Sequence, residues 1–353
     1  MMINDIEKII NDGVLAPSGE NCQPWKFELN GNRLSIFNIP EADMSLYNLK
    51  QRGSYIAHGA LIENIIISSG AYGYTTTVSL FPNKENEAHV ADIIFTKSEI
   101  LESSLYPFLQ KRCTNRKDCI RKILPNEEKK QLTDSISDLG FDTFKIVDDD
   151  ANMEVLGHAL AVNERVLFEN KYIHDFFYDH IIWDKKDEDK AGGFFVDTLE
   201  FLPHQLKAVK LLKHWWVLKI LNVIPGVSKI ISKENGEKYA KSAAFGAIIM
   251  EGSTKENYVN TGRSVQRVWL TATKLGIAMH PCNGTIYFLD QITDNGGKEF
   301  SIQHHKLIKD SNIKIRNAFN VTDSKISFIF RIGKADEPTA RSKRLKPIIK
   351  FVN

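Results

Sequence analysis

The chain has 353 residues, 42% of them hydrophobic and 25% charged, proportions that exclude disorder and leave enough apolar material for a sizeable core. Forty-six Lys and Arg against 44 Asp and Glu give a formal charge of +2. No global field of the kind a nucleic-acid binder carries is present, and any anion site must be local.

At about 100–200 residues per domain this length predicts two units, which can share one core. Ile6, Ile9, Ile10 and Val14 recur at helical spacing up to the Ala16-Pro17-Ser18-Gly19 turn, so a short helix feeds a loop. Trp25–Leu29 and Arg33–Phe37 flank Asn30-Gly31-Asn32 and predict a hairpin. From Ser54 to Tyr72 apolar residues cover most of a helix circumference, which predicts a central helix buried nearly all round. Thr75–Phe81 and Val90–Phe95 are rich in β-branched and aromatic residues and read as a second strand pair.

Beyond it come a short helix near Leu101, a basic segment at Arg112–Lys117, and a Pro125-led helix with Glu127 and Glu128 in its first turn. Asn163–Lys241 is rich in aromatic residues, fits no strand–helix alternation, and reads as an inserted helical subdomain. Leu206–Ile231 within it sets Lys207, Lys210, Lys213 and Lys219 among large apolar residues, a composition that can lie on a membrane surface. Its Pro225-Gly226 break and paired Trp215 and Trp216 favour packing onto the protein. An amphipathic helix, Arg263–Leu275, and a strand, Lys325–Ile332, complete the pattern.

Cys22, Cys113, Cys119 and Cys282 contain no CxxC pair and read as free thiols. His174 and His180 are six apart, and adjacent His304 and His305 diverge, so no metal site is expected. No Walker loop or strand-linked GxGxxG occurs. Acids near Met1 and the lack of a roughly 18-residue apolar stretch predict a cytoplasmic protein without stable membrane insertion.

Residues 16–25, Ala-Pro-Ser-Gly-Glu-Asn-Cys-Gln-Pro-Trp, resemble the early loop of the nitroreductase superfamily. Pro17 stiffens this loop, Gly19 permits close backbone approach, and Ser18 and Asn21 offer hydrogen bonds to a polar ring or ribityl chain. Arg112-Cys113-Thr114-Asn115-Arg116 resembles the second flavin-binding signature of that superfamily. On an extended segment Arg112, Thr114 and Arg116 share one side and suit an anion, while Lys117 turns away. Gly276–Gly284 looks like the segment whose backbone N–H groups meet the flavin ring, at Asn283 and Gly284 here. The basic tail resembles the closing phosphate contact, at Arg341 and Arg344.

The resemblance implies an α+β nitroreductase-like fold with one FMN. In the homodimeric members each flavin takes one signature from each subunit. Here the loop lies in 1–100 and the basic signature in 101–353, so the two halves are expected to form an internal pseudo-dimer with one complete site under the 163–241 lid. The pattern is similar to the long single-chain Acg branch, although Ala191-Gly192-Gly193 departs from it. The implied chemistry is electron transfer from NAD(P)H through FMN to a small-molecule acceptor, a nitro compound or quinone, with Arg116 near the ring and no side-chain acid or base evident. The alternative is a protein that sequesters FMN under a closed lid. A monomer or weak homo-oligomer is expected, with no nucleic-acid partner.

Overall fold

Helix α1 (Met2–Gly13) buries Ile6, Ile9 and Ile10 on one side, as their spacing requires. The hairpin β1 (Trp25–Asn30) and β2 (Arg33–Asn38) follows, its turn eased by Gly31 at φ +58°. Helix α2 (Arg52–Ala71) is buried from Ser54 to Gly70, except at Ile66. Strands β3 (Tyr74–Leu80) and β4 (His89–Lys97) pair antiparallel. The computed structural model describes residues 2–101, 103–188, 192–224 and 226–352. Met1, Ala191 and Pro225, used in the sequence reading, lie outside the described residues.

The short helix expected near Leu101 is only a 3-10 turn at Tyr106–Phe108, which contains Pro107, a residue without the N–H a longer helix needs. Next come α3 (Asn126–Asp134), β5 (Asp142–Val147) and α4 (Asp150–Leu160). The expected insert is helical: α5 (Val162–Glu169), α6 (Lys171–Asp179), the two-residue strands β6 (Ile181–Ile182) and β7 (Phe194–Phe195), α7 (Pro203–Leu212), α8 (Trp215–Val223) and α9 (Val227–Ala240). The chain continues through β8 (Ala244–Met250), α10 (Lys255–Lys274), β9 (Ala278–Pro281), α11 (Gly284–Asn295), α12 (Ile302–Ala318), β10 (Lys325–Gly333) and β11 (Ile349–Phe351).

The resulting α+β structure has a five-stranded sheet in the order β11-β1-β2-β4-β3 and a four-stranded sheet in the order β5-β8-β10-β9. Between them α2 and α10 pack at a glycine crossing. A Cβ on Gly59 would lie 1.8 Å from the Val259 carbonyl oxygen, and one on Gly262 would lie 1.9 Å from that of Ile56. Only glycine permits this approach. Beside the crossing, buried Glu63 accepts from Arg263 Nε at 2.9 Å and Arg267 Nε at 2.5 Å.

Three departures from the sequence reading shape the site. Helix α10 begins eight residues before the expected Arg263, at a capping box formed by Thr254 and Asn257. Strand β8 is buried along its whole length, so it lacks the alternation that reveals a half-exposed strand. Strand β11 pairs in parallel with β1, Phe27 opposite Ile349, and the intervening tail crosses the 16–23 loop. Within the insert the paired tryptophans diverge: Trp215 packs half-buried with its ring 5.1 Å from His174, whereas Trp216 is 66% exposed.

Candidate functional site

All eleven residues expected at the site line one cavity of about 1380 Å³, above the roughly 300–1,000 Å³ usual for small-molecule pockets. Its wall combines the 16–23 loop, the basic segment, the start of α11, the C-terminal tail and the insert.

The loop is shaped by backbone strain. Glu20, Asn21 and Gln23 adopt φ of +43°, +59° and +50°, a region that costs a non-glycine residue energy unless its surroundings hold it. The surroundings do so here. Gln23 N donates to Ser18 Oγ at 3.0 Å, Asn21 Nδ2 to the Lys343 carbonyl at 3.0 Å, Arg344 Nη1 to Asn21 Oδ1 at 2.7 Å, and Leu345 N to Gln23 Oε1 at 2.9 Å. Both ends of the Asn21 amide therefore tie the loop to the tail. Pro17 enters this loop, and Gly19 faces Asp43, whose Oδ2 would lie 3.1 Å from an added Cβ.

The basic segment is irregular rather than extended, so strict alternation fails: Cys113 and Lys117 line the cavity together with Arg112, Thr114 and Arg116. Lys117 does not turn away; its Nζ is 3.7 Å from Glu200. Arg112 is buried, donates Nη2 to the Leu15 carbonyl at 3.1 Å, and lies 4.5 Å over the Trp269 ring. Its Nε has no partner. Burial, with the positive charges of Arg344 and Arg341, pulls its pKa down to about 9. Burial also lowers Arg344 to about 10. Arg341 is exposed and donates Nη1 to the Gln110 and Lys111 carbonyls at 3.1 and 2.9 Å. Three guanidinium groups thus crowd together, with Arg341 also 3.3 Å from Glu337, a donor set that fits a phosphate.

Deeper in, Arg116 donates Nη1 to the Thr198 carbonyl at 3.0 Å and lies 5.2 Å over Phe194, both from the insert. Burial lowers its pKa to about 10. Asn283 precedes α11 and its Oδ1 accepts from Ile329 N at 2.6 Å. Gly284 opens that helix against Asn163, whose Oδ1 would lie 1.8 Å from any added Cβ. Its close neighbour is a side chain of α5.

No protein-family profile matches the chain. Over 341 residues, 96% of this chain and 47% of the relative, it is 22% identical to an uncharacterised Mycobacterium tuberculosis protein. Over 86 residues, 24% of this chain and 26% of the relative, it is 26% identical to the M. tuberculosis protein acg, named provisionally as an NAD(P)H nitroreductase. The chain is likewise 23% identical, over 88 residues and 25% of its length, to a second M. tuberculosis protein named provisionally as an NAD(P)H nitroreductase. It spans about half of the first relative and about a quarter of acg. Solved structures similar to it include a Bacteroides fragilis nitroreductase with bound FMN (TM-score 0.37, 10% identity, 69% of this chain and 94% of that one). Another is the FMN-dependent nitroreductase NfnB of Mycobacterium smegmatis in complex with NADPH (TM-score 0.36, 12% identity, 67% and 91%).

The cavity also has acids that the sequence reading did not single out. Burial and the adjacent Asp43 raise Glu20 to about 8, against the opposing pull of Arg116. Burial raises Glu164 to about 7 although Tyr239 donates its hydroxyl to Oε1 at 2.7 Å, and Glu164 Oε2 has no partner. Buried Arg331 donates Nε to His280 Nδ1 at 2.9 Å and Nη2 to the Lys117 carbonyl at 2.8 Å. Burial, then the charge of Arg331, keeps His280 neutral. The signal for Glu20 was its place inside the quoted loop; nothing local marks Glu164, which reaches the cavity through α5. No group of His, Cys, Asp and Glu suited to a metal occurs among the described residues.

Proposed function

We propose that this cavity binds one FMN and that the protein is an FMN-dependent oxidoreductase, taking electrons from NAD(P)H and passing them to a small-molecule acceptor such as a nitro compound or quinone. The observation that carries the reading is Arg112: a buried cation with an unpartnered Nε, beside Arg341 and Arg344, at the wall of a cavity large enough for a nucleotide. An unpaired buried charge is costly, and a phosphate would satisfy it.

In this reading Arg112, Arg341 and Arg344 hold the phosphate, and Pro17, Ser18 and Gly19 shape the adjoining wall. Thr114 supplies a further hydroxyl, while Asn21 fixes the tail that presents Arg344. Arg116 sets a positive charge beside the ring, and the N–H groups at Asn283 and Gly284, at the positive end of α11, offer donors to its polar edge. A bound flavin supplies hydride and electron transfer at its ring. Glu20, whose pKa is raised to about 8, and Glu164, raised to about 7, can hold a proton at the wall near neutral pH for delivery to an acceptor.

The loop comes from residues 1–100 and the basic groups from 101–353. We read these as two halves that complete one site, with 163–241 as its lid and a single chain as the functional unit. The contacts of Thr198 and Phe194 with Arg116 also support the alternative, a flavin-sequestering protein whose insert closes the cavity. Anaerobic mixing of the FMN-loaded protein with NADH or NADPH separates the two. Loss of flavin absorbance within seconds supports the reductase, and an oxidised spectrum persisting for hours refutes it.

A further inference from the structure

Helix α8 is apolar apart from Lys219 and Asn222, and a helix so rich in apolar side chains belongs in a core or in contact with lipid. Its inner side meets the first condition: Leu218 is fully buried, and Trp215 and Leu221 pack against the core of the insert. The outer side does not. Trp216, Ile220 and Val223, at i, i+4 and i+7, form one stripe, and they are 66%, 62% and 79% exposed. Ile224, directly after the helix, is 81% exposed. Leu211 of α7 and Ile230 of α9 are exposed as well.

The charge around this stripe has one sign. Between Leu202 and Lys233 the chain contains lysines 207, 210, 213, 219, 229 and 233 and no Asp or Glu, although the whole chain has a formal charge of only +2. All six lysines are exposed. Among the described residues Lys207, Lys213, Lys219 and Lys229 make no salt bridge, so their charges are free for an outside partner. A tryptophan and branched aliphatic side chains ringed by unpaired lysines match an interfacial helix on an anionic bilayer. A soluble acidic partner would use the lysines but not the bare aliphatic stripe. Among the described residues no helix is long and apolar enough to cross a membrane, so the contact is peripheral.

We propose that the outer face of α8 and its surrounding lysines dock this protein on anionic lipid surfaces. The proposal is independent of the flavin reading, because it concerns the outer face of the insert and its test measures binding alone.

The test is cosedimentation of the full chain with phosphatidylcholine vesicles and with vesicles that also contain phosphatidylglycerol. The protein should bind the mixed vesicles at least tenfold more tightly, and added salt should release it. Lys213→Gln and Lys219→Gln should each weaken binding about fivefold, equivalent to ~1 kcal/mol per lysine at the surface. Ile220→Ser combined with Val223→Ser should weaken it at least tenfold, with an unchanged circular dichroism spectrum because both side chains face outward. Failure of the wild-type protein to bind either vesicle, or equal binding by all of these variants, overturns the proposal. So does an ultracentrifuge showing a stable dimer that the Ile220 and Val223 substitutions dissolve, since a second copy would then cover the stripe.

Discussion

Arg112→Met sets stability against ligand affinity. Arg112 is 6% exposed, and burial with its cationic neighbours brings its pKa down to about 9. Each pKa unit below the usual 12.5 corresponds to ~1.4 kcal/mol, so this charge costs the flavin-free fold on the order of 5 kcal/mol. The hydrogen bond to Leu15 and the contact with Trp269 return about 1–3 kcal/mol together. Methionine retains much of the bulk without the charge. The flavin-free variant should therefore be as stable as the wild type or more stable by ~1 kcal/mol, as when buried ions are replaced by apolar residues. FMN affinity should move the other way: loss of a charge-assisted hydrogen bond costs ~1.5–3 kcal/mol, roughly tenfold to a hundredfold in Kd. Lys117→Ala, which removes a cation facing Glu200, should change affinity far less. Urea denaturation of flavin-free protein and fluorescence titration with FMN measure the two quantities. A variant that loses stability yet binds FMN as the wild type does would refute the anion site.

Gly262→Ala places a methyl group 1.9 Å from the Ile56 carbonyl oxygen and should cost 1–3 kcal/mol or more in urea, whereas Gly140→Ala, in open space but at φ +72°, should cost only about 1 kcal/mol; equal losses would mean that α2 and α10 do not pack at the glycines. Glu20 and Glu164 have folded pKa values raised to about 8 and about 7. Their unfolded forms ionise first, so the stability of the flavin-free protein should fall as pH rises from about 4.5 to about 8. The Glu20→Gln and Glu164→Gln double variant should flatten that decline, and an unchanged slope would reject the assignment. Glu200 accepts from Thr339 N and Oγ1 at 2.6 and 2.7 Å and joins the insert to the tail. Glu200→Ala should leave FMN bound but accelerate its reduction by NAD(P)H several-fold in stopped flow, and unchanged kinetics would exclude it as a latch.

Local signals were legible where periodicity or turn chemistry decides the structure. The hairpin around Gly31, the buried α2 and the helices between residues 162 and 240 all follow from the sequence. Strand β8 was hidden because burial on both faces removes alternation, and β11 because three residues beside β1 carry no pattern of their own. The site signatures were readable as residue types, but their roles depend on long-range contacts. Asn21 is held by Arg344, Gly284 is met by Asn163, and Glu164 comes from a helix whose sequence has no link to the 16–23 loop. The raised acids follow from burial in the cavity, which no local spacing reveals.

The most direct measurement is the flavin content of the purified chain. Acid extraction and chromatography should recover one FMN per chain, and reconstituted Arg112→Met should retain much less after dialysis. FAD in place of FMN, two FMN per chain, or a wild-type protein that binds no flavin on reconstitution would contradict a single site built by the two halves.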